Sequence, residues 1–558
     1  MILSNKLITR FFAPTIIALF FVFCSSVGGS MSAEGQNSTV ISTDNKNDNN
    51  TKINLNIKEN KGTAFKPSDK INNNLTQITN SNSSTLENNS TDKRNVIFIH
   101  PDGTTQSHYD AIRLLEVGPD NIINWDMLPN VAIYKGHLKD SLTSTSHGGA
   151  TVHGSGVKVL ADSYGCDGNC TDDSIKRTIM EEARDENFTI GIINSGTITE
   201  PGTGVFVSHV TDRSDHCGIV QQIVEESNAT LILGAGEKYY LTANDTSFHP
   251  NPESNLKFDN GACENNMIEA AKNLGYTVVY NKTQLQKLDI SNVSKVLGIF
   301  AYEDTYNDVS ENELFKRGIN AGLNAIGICN EVCRLYEPYA PTFDEMIDFG
   351  IKFLDFHSKK GFLLVAEEEG TDNFGNDNMN AEGVMEAGKR ADKAIGIALE
   401  FAQQNPKNTL VVTAADSDAG GFGIYSDQQV HNKEYPVLDV NGCIDEPLSY
   451  SLDPLVEQSE QNILIDGITD FNIIKSQVNG ITIFCEKPFL AKQDKYGNEL
   501  FFNILWFPNG APDIGGGTIT RAFGCNSNEE FKGTIDNTDI PRIMANCLQL
   551  EDRIPFEK

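Results

Sequence analysis

Apolar residues of this 558-residue chain gather into short runs separated by amphipathic stretches, and the pattern begins only after residue 92. Each run has few polar side chains and is rich in Val, Ile, Leu or Phe, which predicts short buried strands. The predicted strands are Val96–Ile99, Phe188–Ile193, Thr230–Leu233, Thr277–Val279, Val296–Phe300, Phe362–Ala366 and Thr409–Thr413.

Between these runs, apolar residues recur with the spacing of helices that have one buried face. The predicted helices are Asp172–Asp185, Ile219–Ser227, Met267–Leu274, Phe343–Phe356 and Ala381–Gln404. Strands that are buried on both sides and alternate with helices are typical of an α/β fold. We therefore expect a mostly parallel central sheet with helices on both faces.

The first 92 residues have a different character. Met1 to about residue 30 resembles a signal peptide, with basic Lys6 and Arg10 before an apolar stretch and small residues. The apolar stretch is too short to predict a stable membrane span. Residues 31–92 are rich in Asn, Ser and Thr and predict a disordered tether. We expect one folded domain over residues 93–558, with an insertion at about 426–492, in a secreted, periplasmic or cell-surface protein.

The net charge bears on the kind of partner, and the cysteine content bears on disulfides. The chain has 44 Lys and Arg against 76 Asp and Glu, a net charge of −32, which argues against a nucleic acid partner. An even number of cysteines is left after Cys24 is removed with the signal peptide, and this predicts disulfides. Cys166/Cys170 and Cys329/Cys333 have the spacing of local bridges.

Candidate chemistry lies where predicted strands end. Asp102, the acids 367–369 and Asp416 each follow a strand, and sites of open α/β sheets lie at the carboxyl ends of strands. Ser144–Thr151 is a run of small residues in which a hydroxyl could lie at a helix N-terminus. A helix cap and a solvated acidic turn are the structural alternatives.

Two of these segments together resemble the alkaline phosphatase family. Asn95–Gly103 resembles the family strand that ends in a metal-binding Asp, here Asp102, and Ser144–Lys158 resembles the segment that carries the phosphorylated serine. The resemblance implies an alkaline-phosphatase-like three-layer sandwich. It also implies that Ser146 is the nucleophile, with Thr145 at a position where the family usually has Asp.

Further matches imply the metal ligands. The family pattern E-G-x-x-x-D-x-x-x-H falls on Glu367, Asp372 and Asn376, and T-A-D-H falls on Asp416 and Ser417. The last motif places Asp513 on a third histidine. The three usual zinc-ligand histidines are therefore replaced by Asn376, Ser417 and Asp513, and we also count Asp418 as an alternative ligand to Ser417.

A third region resembles the phosphate clamp of the family. Arg213 falls on its arginine, and Glu200 and Thr203 are the magnesium candidates, although their spacing is one residue too long. A structural salt bridge for Arg213 and a capping role for Thr203 are the alternatives.

The resemblance implies hydrolysis of small phosphate monoesters through a phosphoserine on Ser146, with two or three divalent ions. Zinc follows from the family, whereas the oxygen-rich ligand set favours magnesium and makes calcium or manganese plausible. His147 and His153 could add a nitrogen ligand or a hydrogen bond. Alternatives are a phosphodiesterase or phosphotransferase of the same superfamily, or a non-catalytic metal- or phosphate-binding relative. Family resemblance also suggests a homodimer.

Overall fold

The computed structural model describes residues 93–171, 173–250, 263–309, 335–376, 378–425, 474–478, 481–485, 489–498, 500–506, 513–515 and 518–551. The predicted signal peptide and tether, the Cys329/Cys333 pair and most of the predicted insertion lie outside these residues. In the described part, no helix is both long and apolar enough to cross a membrane.

Strands and helices alternate through most of the described chain. The strands are β1 (Arg94–Pro101), β2 (Asn130–Lys135), β3 (Thr189–Thr197), β4 (Leu231–Ala235), β5 (Tyr276–Val279), β6 (Lys295–Ile299), β7 (Gly361–Glu368), β8 (Thr409–Thr413), β9 (Asp418–Ala419), β10 (Gly423–Tyr425), β11 (Ile474–Val478), β12 (Ile481–Cys485), β13 (Phe489–Leu490), β14 (Phe501–Trp506), β15 (Asp513–Ile514), β16 (Ile519–Gly524) and β17 (Gly533–Asp536). The α-helices are α1 (Gln106–Glu116), α2 (Ser146–Ser155), α3 (Ile179–Asp185), α4 (Pro201–Gly204), α5 (His216–Gln221), α6 (Met267–Asn273), α7 (Lys282–Gln286), α8 (Phe343–His357), α9 (Gly370–Asn373), α10 (Ala381–Gln404), α11 (Ser527–Glu530) and α12 (Asp539–Leu548).

Ten strands form one sheet in the order β17-β2-β16-β8-β1-β7-β3-β4-β6-β5. Neighbouring strands are parallel except where β16 pairs with β2 and β8. The mostly parallel α/β fold predicted from the sequence is confirmed.

Alternate residues of the central strand β1 face two separate hydrophobic cores. Val96 and Phe98 pack with side chains of α3, α5 and α12, whereas Ile97 and Ile99 pack with side chains of α8 and α10. Because successive strand residues point to opposite faces, this alternation places helices on both sides of the sheet, as predicted.

The predicted helix Asp172–Asp185 was too long, since α3 begins only at Ile179. Thr178 and Glu181 form a capping box: the Thr178 hydroxyl accepts from the Glu181 backbone N–H at 3.2 Å, and the Glu181 carboxylate accepts from the Thr178 N–H at 3.0 Å. Before this cap, a disulfide joins Cys166 to Cys170, and Cys166 forms a β-bridge with Ile175. This bridged loop keeps the preceding residues out of the helix.

Disulfides in the described residues join Cys166–Cys170, Cys217–Cys263 and Cys525–Cys547, so the predicted local bridge at Cys166 is confirmed. A smaller antiparallel sheet contains β10, β11, β12, β13 and β14. β10 precedes the predicted insertion at about 426–492, β11, β12 and β13 lie within it, and β14 follows it. The boundaries of the insertion stay a prediction.

Candidate active site

Three adjacent strands bring acidic residues to one edge of the large sheet. β1 lies between β7 and β8, and the parallel register pairs Ile99 with both Ala366 and Thr413. Asp102 and Asp416 lie just beyond the ends of β1 and β8, Glu367 lies near the end of β7, and all three are buried. The convergence expected from strand ends is therefore observed.

A fully buried histidine lies among these acids. The Nε2 atom of His100 is 3.2 Å from Oδ1 of Asp102 and 3.7 Å from Oδ1 of Asp416. Its Nδ1 atom faces Oε1 of Glu367 at 4.0 Å. His100 was not among the predicted site residues. The available signal was its position two residues before Asp102, which puts both side chains on one side of an extended chain.

The three consecutive acids face different partners. Glu367 accepts a hydrogen bond from Nδ2 of Asn194 at 2.6 Å, and the same Nδ2 lies 2.9 Å from the Thr203 hydroxyl. Glu368 instead accepts from the Ser195 hydroxyl at 2.7 Å. The three residues are buried, so they do not form the solvated turn considered above.

Glu369 was not predicted as a ligand, but it lies beside two residues that were. One carboxylate oxygen each from Asp102, Glu369 and Asp372 lie within 4.8 Å of one another. Asn376 donates weakly to Asp372, with 3.4 Å between Nδ2 and Oδ2. The sequence showed three acids in a row but not which of them pointed toward Asp372.

Ser417 and Asp513, two positions predicted to replace family histidines, lie together beside Asp416. The Ser417 hydroxyl donates to Oδ1 of Asp513 at 2.6 Å and lies 3.4 Å from Oδ2 of Asp416. Pairing of β15 with β9 sets Asp513 opposite Ala419. Asp418 accepts from the Phe422 backbone N–H at 2.9 Å, a contact that closes a turn. Its role as a ligand stays a prediction.

Ser146 is the first residue of α2 and is half-buried. Thr145 caps the helix, because its hydroxyl accepts from the Gly148 N–H at 3.1 Å. A side chain at Gly149 would bring its Cβ to 2.8 Å from Cβ of Asp416, so α2 lies directly against the acidic edge. This close approach requires glycine.

Arg213 lies beside the N-terminus of α2. Its Nη2 donates to Oε2 of Glu200 at 2.9 Å, and its Nη1 is 3.4 Å from Nδ1 of His147. The structural salt bridge considered as an alternative is therefore formed. The Arg213 side chain is nevertheless 42 % exposed, so part of its guanidinium faces solvent.

Burial and mutual repulsion raise the pKa values of several acids of this site. Burial, followed by the charge of Asp416, raises the pKa of Asp102 well above its ordinary value. Burial raises the pKa of Glu367 to about 7, and burial with Asp416 raises the pKa of Asp513 to about 7. Burial and neighbouring acids also raise the pKa of Glu369. Burial and neighbouring acids thus disfavour the charged forms of these four carboxyl groups.

The donor atoms fit divalent cations. Side-chain oxygens that are buried without a hydrogen-bond partner among the described residues include Asp102 Oδ2, Glu367 Oε1, Glu369 Oε2, Asn376 Oδ1 and Asp416 Oδ1. Buried carboxylate oxygens are costly when nothing balances them, and oxygen sets of this kind bind Mg²⁺, Ca²⁺ or Mn²⁺.

A family model described as alkaline phosphatase matches residues 93–460. The chain belongs to the alkaline phosphatase family.

Relatives in this family are distant in sequence. The tissue-nonspecific alkaline phosphatase of Gallus gallus is 24% identical over 367 residues, which cover 60% of this chain and 65% of the relative. This match thus spans just under two thirds of the chicken protein. Alkaline phosphatase 3 of Bacillus subtilis (strain 168) is 22% identical over 475 residues, covering 83% of this chain and 90% of the relative.

Solved alkaline phosphatases share the fold. The enzyme of the Antarctic bacterium TAB5 superposes with a TM-score of 0.53 at 17% identity, covering 82% of this chain and 98% of that one. The cold-active enzyme of Shewanella sp. gives a TM-score of 0.55 at 18% identity, with coverages of 81% and 99%.

Proposed function

We propose that this protein is a secreted, divalent-metal-dependent phosphatase that hydrolyses small phosphate monoesters through a phosphoserine on Ser146. The observation that carries the proposal is the set of buried carboxylates at the carboxyl ends of the central strands, each with an oxygen that lacks a hydrogen-bond partner among the described residues. This set lies directly against the helix that begins at Ser146. Arg213 adds a cation beside that helix. A nucleophile, a cation and metal-binding acids together are what phosphoryl transfer needs.

The cations would be held by the acids described above. We assign Asp102, Glu369 and Asp372 to one ion, Asp102 and Asp416 with Ser417 to a second, and Glu367 with Thr203 to a third. Asn376 and Asp513 border these groups and are not assigned to one ion. Glu200 is assigned to the orientation of Arg213 rather than to an ion. Bound divalent ions would polarise phosphoryl oxygens and favour ionised serine.

The identity of the ions is also a proposal. Magnesium fits the oxygen donors, zinc follows from the family, and calcium or manganese suits the same set. A TAB5 alkaline phosphatase in which a histidine is replaced by aspartate has Mg bound in its M3 site. That precedent supports magnesium at an aspartate-rich site in this chain.

In the first step, the Ser146 oxygen bonds to phosphorus as the bond from phosphorus to the ester oxygen breaks, and the alcohol leaves with a proton. Water then attacks the phosphoserine, which releases inorganic phosphate and restores the serine. Two N–H groups of the Arg213 fork can hold two phosphoryl oxygens, and Glu200 fixes the plane of that fork. Division into two steps lowers the barrier of each.

Export is supported by chemistry as well as by the N-terminal sequence. The disulfides Cys166–Cys170, Cys217–Cys263 and Cys525–Cys547 are stable in an oxidising compartment. The homodimer suggested by family resemblance stays a prediction.

The test is hydrolysis of a chromogenic phosphate monoester and a matching diester by metal-stripped protein. Magnesium, zinc, calcium, manganese and iron are restored singly and in pairs. Wild type should recover monoesterase activity, and Ser146→Ala should lose it by several orders of magnitude. Ser155→Ala is the matched control, because Ser155 is on the same helix but donates to the Thr151 carbonyl at 2.6 Å.

Each outcome is decisive. Faster hydrolysis of the diester would replace the monoesterase proposal with the phosphodiesterase alternative. Absence of turnover with every cation, despite tight cation binding, would favour the non-catalytic relative. Activity that survives Ser146→Ala would remove the phosphoserine from the mechanism.

A further inference from the structure

The imidazole of His100 is a buried polar group that the proposed mechanism does not use. Its side chain is completely inaccessible to solvent, and neither Nδ1 nor Nε2 makes a well-aligned hydrogen bond with a described residue, although Nε2 lies 3.2 Å from Oδ1 of Asp102. Burial of an unsatisfied ring nitrogen is costly, so a group that binds it is expected.

The nearest polar atoms to Nε2 identify the kind of group. Asp102 Oδ1 lies at 3.2 Å and Asp416 Oδ1 at 3.7 Å, and both carboxylates are buried. Four ligands placed tetrahedrally at about 2.0–2.1 Å from one ion are about 3.3 Å apart. The two distances fall on either side of that separation.

We propose that His100 is a nitrogen ligand of the cation that Asp102 and Asp416 hold, an inference that rests on the proposed metal-dependent function. This nitrogen belongs to strand β1, whereas the positions predicted to replace family histidines, Asn376, Ser417 and Asp513, lie later in the chain. The site at Asp102 and Asp416 is then a mixed nitrogen–oxygen site. It selects a transition ion such as Zn²⁺ or Co²⁺ over Mg²⁺, since imidazole suits transition ions.

His153 provides an internal contrast. Its ring is also buried and packs edge-to-face on His100, with 5.7 Å between ring centroids. Its other neighbours are the rings of Phe98 and Tyr134. Both nitrogens of His153 also lack a hydrogen-bond partner among the described residues, but no described carboxylate forms an ion pair with this ring. His153 therefore packs against the His100 ring without acids that could share a cation with it.

The experiment is titration of metal-stripped, full-length protein with Co²⁺. Visible absorption follows binding, and proton NMR detects the shifted N–H signal of an imidazole bound to Co²⁺, which disappears in D₂O. The variants are His100→Leu and the matched control His153→Leu. His100→Gln is a polar second choice should the apolar variant not fold, and the wild-type spectrum tests the proposal without any variant.

Wild type and His153→Leu should give the shifted imidazole signal, and His100→Leu should lose it. Affinity for Co²⁺ should fall roughly 10- to 100-fold in His100→Leu, and affinity for Mg²⁺ should fall less. No imidazole signal in the Co²⁺-loaded wild type would overturn the proposal. So would a signal that persists in His100→Leu.

Failure of this inference is distinct from failure of the proposed function. Ser146→Ala should keep the imidazole signal without turning over a monoester. If wild type gives the signal but no hydrolysis, the nitrogen ligand stands and the phosphatase proposal fails. If wild type hydrolyses monoester with Co²⁺ but gives no signal, only the ligand proposal fails.

Discussion

Glu200 orients Arg213: Nη2 of the arginine donates to Oε2 of the carboxylate at 2.9 Å, at the N-terminus of α4. The second amino group, Nη1, lies 3.4 Å from Nδ1 of His147, the neighbour of Ser146. An acid that is largely buried thus fixes a partly exposed guanidinium next to the proposed nucleophile. Rigid placement of this kind makes electrostatic stabilisation of a transition state effective.

Removal of this guanidinium should weaken phosphate binding and turnover together. We expect Arg213→Ala to lower kcat/KM for a phosphate monoester by roughly 10²- to 10³-fold, and Arg213→Lys to fall in between because Lys lacks the planar fork. Competitive inhibition by inorganic phosphate should weaken in the same order. Arg177→Ala is the control, because Arg177 pairs with Glu182 and Asp185. An unchanged inhibition constant would argue against the clamp.

Gly202 should tolerate no side chain. A Cβ there would lie 1.8 Å from Oε1 of Glu367, whose side chain is fully buried and would have to shift within the site. We expect Gly202→Ala to destabilise the protein by about 1–3 kcal/mol and to weaken binding of divalent cations. Urea denaturation and cation titration measure the two effects.

Gly154→Ala is the matched control for that variant. Gly154 also lies in a helix and is buried, but its Cβ would meet no atom closer than 3.5 Å. This change should stabilise the protein by about 0.5–1 kcal/mol, because alanine is favoured over glycine in a helix. Equal effects of the two alanines would contradict the contact between Gly202 and Glu367.

Stability should depend on the charge of His209. Its Nδ1 faces the Gly165 carbonyl at 2.8 Å and its Nε2 faces the Glu181 carboxylate at 3.2 Å, so both nitrogens have acceptors. Burial lowers the pKa of His209, but the hydrogen bond and charge of Glu181 together with the Gly165 carbonyl outweigh burial, and the net shift is upward. The contribution is complete below the unfolded value of about 6.5 and is lost as pH rises through the folded pKa.

His209→Gln should therefore cost more free energy of unfolding at pH 6 than at pH 9, with a loss of about 1.5–3 kcal/mol at the lower pH. Glu181→Gln is the companion variant, since its amide oxygen can still accept from the Thr178 N–H and keep the helix cap. It should make the His209→Gln cost independent of pH. Urea denaturation at both pH values tests this, and a larger cost at pH 9 would refute it.

Metal removal should make stability fall as pH rises. Burial raises the pKa of Glu367 and of Asp513 to about 7, well above their unfolded values near 4. Between pH 4 and 7 the metal-free folded chain therefore binds more protons than the unfolded chain, so its free energy of unfolding decreases with pH. A bound cation replaces those protons.

Calorimetry with and without a chelator measures this linkage. Added divalent cation should raise Tm more at pH 8 than at pH 5, with about 2.7 kcal/mol of stabilisation at a concentration 100 times Kd. Glu367→Gln should flatten the pH dependence of the metal-free protein. An equal rise in Tm at both pH values would show that cations do not bind to these carboxylates.

The strands of the sheet centre could be predicted because burial on both faces leaves an uninterrupted apolar run. Thr409–Thr413 and the helix Ala381–Gln404 agree with the structure to the residue. β2 escaped prediction because its pattern is inverted: Val131 and Ile133 are exposed, whereas Ala132 is buried. β16 pairs with strands far away in sequence, which no local pattern reveals.

Some residues of the candidate site could be predicted from the sequence, and others could not. Strand ends and family motifs indicated Asp102 and Asp416, because parallel register brings such ends together. Which of three consecutive acids faces Asp102 and Asp372 depends on backbone rotation and packing. Glu369 therefore could not be chosen from the sequence. The role of His100 depends on its distance from two acids on separate segments, which only the folded chain provides.

β16 completes the interior of the sheet from the far end of the chain. The Thr520 hydroxyl donates to the Thr413 carbonyl across a sequence separation of 107 residues. A ribosome that adds about 5–20 residues per second needs about 5–20 s to synthesise that interval. During this time β8 presents an unpaired edge, which is prone to pair with other chains. The segment that leads into Asp416 is thus completed late in biosynthesis, after most of the sheet has been made.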